Sequence, residues 1–114
     1  MLEAVALGIS AAVEAPVAAL IVRAARWPCR GALHAGLAAA VATAVTHPQL
    51  WEAANWAYPR FGYWPSVAAL EALVVAVEAL LIAWMAKLAL HRAFAVSLAA
   101  NIASCAAGLL IFHT

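Results

Sequence analysis

Four stretches of this chain are apolar for long enough to be read as membrane crossings, since about 20 apolar residues span a hydrocarbon layer about 30 Å thick. The first runs from about residue 2 to 22 and stops at Arg23, Arg26 and Arg30. The second and shortest runs from about 31 to 46 and stops at His47-Pro48. The third covers about 66–86, ahead of Lys87, His91 and Arg92, and the fourth covers about 93–112. Between the second and third lies PQLWEAANWAYPRFGYWP, polar and aromatic together. Pro59 and Pro65 break that stretch, so a short amphipathic helix from about Gln49 to Ala57, lying along the surface, is the most expected of it. The pattern predicts an all-α fold: a four-transmembrane-helix bundle forming a single integral membrane domain over residues 1–114. The first stretch lacks a basic leader and carries Glu14 and Pro16 within it, so it reads as a retained helix and not as a secretory signal.

Composition strengthens the membrane reading. Hydrophobic residues make up 69% of the chain and charged residues 10%, against about 25% charged in a typical soluble domain. Six Lys and Arg with a net charge of +1 leave no basic footprint for nucleic acid. The basic residues gather at 23–30 and 87–92, which share one side of a four-span arrangement. The excess of positive charge in cytoplasmic loops then places both turns in the cytoplasm of a bacterial cell, with both termini and the 48–65 segment outside. That outer side carries Arg60 against Glu3 and Glu52. Trp51, Trp56, Tyr58, Phe61, Tyr63 and Trp64 crowd it as an interfacial belt would, either as depth anchors or as a lid or docking surface. Cys29 and Cys105 fall in different kinds of segment, which argues against a disulfide.

The polar residues inside the spans carry the candidate chemistry. Glu14 lies nine residues from Arg23, Glu78 nine from Lys87 and Asn101 nine from Arg92. At about 1.5 Å per residue, all three stand near the middle of the hydrocarbon layer, where a bundle would let them meet. Glu71 lies two helical turns outward of Glu78; Ser10 and Thr43 fall near the same track, and His47 closes its outer end. Ser97 and Cys105 flank Asn101 at four-residue spacing. Toward the cytoplasm the polar candidates thin out to His34 and His91.

A carboxylate at the bilayer midplane is costly, and two side by side cannot both stay charged: they share a proton unless a cation sits between them. Glu14 and Glu78 are therefore candidates to relay protons, bind a cation or hold a cationic or polar substrate, with Asn101 orienting them. The competing role is structural, as protonated groups hydrogen-bonded across helices. His47 with the carboxylates Glu14, Glu78 or Glu71 offers an oxygen–nitrogen set for a divalent metal ion, or else simply ends a helix at the interface. No HExxH or paired ExxH pattern points to a di-iron bundle, and no nucleophilic triad or glycine-rich phosphate loop is present. Pro16 removes the helical donor for the carbonyl of Ala12 and should bend the first span beside Glu14. Gly31 with Ala35 and Gly36 with Ala40 favour close helix packing.

The string AAVEAPVAALIVRAAR (11–26) can be laid on VAVEALLIAWMAKLAL (75–90), pairing Glu14 with Glu78 and Arg23 with Lys87. A duplicated helical hairpin with its pseudo-two-fold axis along the membrane normal is one explanation and chance is the other. The later half, ALEALVVAVEAL (69–80) and HRAFAVSLAANIASCAAGLL (91–110), with TAVTHPQLW (43–51), resembles a pattern of small uncharacterised bacterial four-helix integral membrane proteins. Its elements are Glu71 and Glu78 in the third span, then Ser97, Asn101, Ser104 and Gly108 in the fourth, while His47 stands where asparagine is expected. The resemblance implies four helices and a polar pair in the third, and no activity. The residues together favour a small polytopic protein that handles a proton, metal ion or small cationic solute through buried carboxylates, as a homo-oligomer or in a larger complex. An accessory subunit of a membrane complex is the alternative. An enzyme acting on a lipid is less favoured, because only Glu71 with His47 approaches an interface.

Overall fold

The protein, described from a computed structural model over residues 2–112, with side chains from 4 to 111, is a bundle of four helices. They are α1 (Leu2–Ala25), α2 (Ala32–Phe61), α3 (Tyr63–Ala86) and α4 (Leu90–Phe112). Short connections make successive helices antiparallel. Each helix packs on two neighbours, α1 on α2 and α4, α3 on α2 and α4, so α1 and α3 face each other across the axis. The start of α1 and the end of α4 therefore lie at the aromatic end, opposite the 26–31 and 87–89 turns.

The packing inverts that of a soluble bundle. Among the described residues, ten of the sixteen buried apolar ones are alanines, and the largest fully enclosed side chains are no bigger than Ile82 and Val96. Large apolar side chains point outward instead, Trp84 at 77% and Leu33 at 73% exposure among them. A helix in water turns its apolar stripe inward, whereas lipid supplies no such drive and rewards close backbone contact between small residues. Three helices, over Ala4–Ala25, Tyr63–Ala86 and Leu90–Ile111, are long and apolar enough to cross a membrane.

Helix α2 departs from the sequence expectation. The crossing expected over 31–46 and the surface helix expected over 49–57 are one continuous 30-residue helix, roughly 45 Å long, whose composition falls short of a crossing by hydropathy. Pro48 and Pro59 do not end it: Pro59 stands two residues before the last helical position, and Pro48 lies on an exposed face. The carbonyls deprived of a donor, at Ala44 and Asn55, belong to exposed residues as well. Pro65 falls in the first turn of α3, where its missing N–H costs nothing. The reversal between α2 and α3 falls on Gly62 alone, whose φ of 86° suits glycine. Pro16 likewise sits on the exposed face of α1, which continues through it to Ala25.

At the opposite end, α1 and α3 close alike. The N–H of Trp27 donates to the carbonyl of Val22 and that of Leu88 to the carbonyl of Ala83, with Arg26 and Lys87 in the left-handed conformation between. The N–H of Arg30 donates to the carbonyl of Ala86 at 2.8 Å and ties the first turn to the end of α3. The buried positions of the two hairpins also correspond. Glu14, Ala18 and Val22 on α1 match Glu78, Ile82 and Ala86 on α3, while Ala42 and Thr43 on α2 match Ala100 and Asn101 on α4.

Gly36 sets the approach of α2 to α1. A Cβ there would stand 2.9 Å from the carbonyl oxygen of Ala15 and 3.4 Å from Cβ of Ala19. Backbone cannot step aside as a side-chain tip can, so Gly36→Val should destabilise the bundle by about 1–3 kcal/mol, read by reversible unfolding in mixed micelles. Unchanged stability would contradict this close approach.

Candidate functional site

Glu14 and Glu78 come from the two diagonal helices and meet near the bundle axis, each only 3% exposed. Thr43 on α2 stands between them, its hydroxyl 3.0 Å from Oε2 of Glu14 and 3.4 Å from Oε2 of Glu78. One turn further, the hydroxyl of Thr46 lies 2.9 Å from the same oxygen of Glu78. From α4, Nδ2 of Asn101 donates to Oε1 of Glu78 at 2.7 Å and to the carbonyl of Ser97 at 2.8 Å. That carbonyl can only accept, so the amide must turn its nitrogen this way. Ser97 in turn donates to the carbonyl of Val75 at 2.8 Å, fixing α4 to α3 beneath the site. The residues read from the sequence as sharing one depth, Glu14, Glu78 and Asn101, thus belong to one hydrogen-bonded network.

The threonines make that network tolerant of either charge state. A hydroxyl has one proton to give and lone pairs to accept with. The hydroxyl of Thr46 stands 2.9 Å from Glu78 and 2.9 Å from the carbonyl of Ala42. It can donate to an ionised Glu78, or accept from a protonated one while donating to Ala42. The hydroxyl of Thr43 can alternate between the two carboxyl groups in the same way. Positive charge is far off: all six Lys and Arg lie in turns or in the first or last turn of a helix. No lysine or arginine is placed to pair with either carboxyl group, and His47 borders the same cavity.

A cavity of about 120 Å³ opens on the pair, lined among others by Ser10, Glu14, His47, Glu71 and Glu78. It has room for a few water molecules and falls below the range of about 300–1,000 Å³ that holds small organic ligands. Through Ser10, Glu71, Ser104 and Cys105 it adjoins a second cavity of about 250 Å³ that reaches Tyr58 and Tyr63 at the aromatic end. Toward the basic turns the interior is an apolar plug that includes Ala18, Val22, Ala39, Ile82, Ala86 and Val96. The polar space is one-sided.

Other sequence-derived candidates fall as follows. Glu71 is half-buried and borders both cavities. His47 borders the inner cavity beside Trp51, with ring centroids 6.1 Å apart. Glu14, Glu78 and His47 do not gather into a metal site: among the described residues no group of three His, Cys or Glu is placed to hold an ion. His34 and His91 are exposed near the basic turns, outside the network. The side chain of Glu3 lies outside the described residues. Thr46 is the participant that the sequence did not single out. Its signal is its place three residues after Thr43, on the same helical face. No family model, curated protein or solved structure matches the chain.

Thr46→Val keeps the side chain's shape and removes its proton. The variant should lose about 0.5–1.5 kcal/mol in reversible unfolding, and Thr46→Ser should restore most of it. A valine variant as stable as the parent would show that this hydroxyl does not support Glu78.

Proposed function

We propose that this chain is a small integral membrane protein whose Glu14–Glu78 pair takes up and releases a proton reached from the aromatic end of the bundle. The observation that carries this reading is a buried carboxylate pair bridged by threonine hydroxyls, with no lysine or arginine beside it among the described residues, at the floor of a one-sided polar cavity. Burial of two charges in lipid is costly, and a shared proton removes one of them. Asn101 and Thr46 hold Glu78 in place, and Thr43 passes the hydrogen bond between the two carboxyl groups. Glu71 and His47 form the outer approach.

In this reading the four helices cross a bacterial cytoplasmic membrane, α2 by its residues 32–46 packed against α1 and α3. The basic turns are cytoplasmic and both termini are outside. The matched burial of the two hairpins supports a duplicated hairpin with parallel halves. A small cation such as a metal ion is the alternative occupant, bound by fewer than three charged ligands. The apolar plug favours a further point. One copy with this interior provides access from one side only, so movement across the membrane requires rearrangement, a homo-oligomer or a partner subunit. That leaves the role of accessory subunit in a larger membrane complex as the second reading, with the carboxylates serving the partner's chemistry.

The test is proton uptake by the protein in lipid nanodiscs after a downward pH jump, followed with a soluble pH indicator. The parent should take up protons that the Glu14→Gln/Glu78→Gln double variant does not, with helicity and size unchanged. Equal uptake by the two would refute the assignment.

A further inference from the structure

A cleft of about 450 Å³ runs between α3 and α4 on the outside of the bundle, within the range of small-molecule sites. Its walls are apolar, with Val75 on one helix and Phe94, Leu98 and Ile102 on the other. Those three α4 side chains are exposed and face lipid in a membrane. At one end the cleft meets Glu71, Asn101 and Cys105, which also border the cavity above the carboxylate pair. Glu71 therefore stands where the aqueous route from the aromatic end and a lateral route from the bilayer converge. Its carboxyl group has no hydrogen bond or ion pair to any described residue, in contrast to Glu14 and Glu78.

We propose that this cleft is a lateral binding site for an amphiphilic cation, a protonated amine or quaternary ammonium on a slender apolar body, with Glu71 as its counter-charge. Phe94 and Cys105 stand eleven residues apart on α4, which gives the slot a length of roughly 16 Å. An ammonium group at the Glu71 end leaves its tail along Leu98 and Phe94, in contact with lipid throughout. A carboxylate without an ion-pair partner gains from such a cation, and the site selects a cation over neutral amphiphiles because Glu71 is the one charged group in a lining otherwise mostly apolar. The inference shares with the reading above the placement of the chain in a bilayer and the position of Glu71 on the outer approach, but does not depend on proton exchange at Glu14 and Glu78.

The test is saturable binding of radiolabelled decyltrimethylammonium to the protein in nanodiscs, counted above empty nanodiscs. Glu71→Gln should weaken binding about tenfold or more, whereas Glu52→Gln, at an exposed position on α2, should leave it unchanged. Leu98→Trp, at a lipid-facing position and with Glu71 intact, should also weaken it by filling the slot. Decyl maltoside, which has no charge, should fail to compete. Absence of saturable binding, equal binding by the Glu71→Gln variant, or equal competition by the neutral amphiphile would each overturn the proposal. Proton uptake that depends on Glu14 and Glu78 without ammonium binding would end this inference and leave the preceding one standing. The opposite pair of results would do the reverse.

Discussion

Two carboxyl groups held at the centre of an apolar bundle, with no lysine or arginine among the described residues to neutralise them, constrain the whole interior. A lysine or arginine beside them would settle the charge by an ion pair. In its place the bundle supplies an amide from α4 and two hydroxyls from α2, groups that stabilise a carboxylate without fixing its protonation. The helices can bring these donors within hydrogen-bond distance because the residues around them are small. Gly36 against Ala15, and alanine at ten of the sixteen buried apolar positions described, let the backbones approach until short side chains such as threonine span the gap.

The same constraint divides the bundle in two. From the pair toward the aromatic end, Ser10, His47, Glu71 and Ser104 keep the interior polar and leave space for water. Toward the basic turns, alanine, valine and isoleucine close the interior. The polar cavities end at the carboxyl groups. A conducting pore needs polar lining on both sides of its midpoint, which one copy of this bundle does not have. The arrangement suits a group that exchanges its proton with one side, and any movement across depends on a change in packing or on a neighbour.

Much of this was legible in the chain because a bilayer imposes its own ruler. Three of the four spans follow from apolar length, and the nine-residue distances from the basic flanks place Glu14, Glu78 and Asn101 at one depth before any fold is known. The extent of α2 was not legible. Pro48 and Pro59 suggest a break, yet the helix runs on through both, each at an exposed position. Thr46 escaped notice because a threonine in a helix more often bonds back to its own backbone, as it also does here to Ala42. The cleft beside Glu71 depends on how α3 and α4 are rotated against each other, which apolar patterning leaves open when every face of a helix is hydrophobic.

Infrared spectroscopy of the carboxyl region, on protein in nanodiscs at neutral pH, reaches the central claim most directly. A shared proton predicts an absorption band from a protonated carboxyl group in the parent protein, and Glu14→Gln and Glu78→Gln should each remove or shift it. The Glu52→Gln variant should keep it unchanged. A parent spectrum containing ionised carboxylates alone, or a band indifferent to both buried substitutions, would contradict the account.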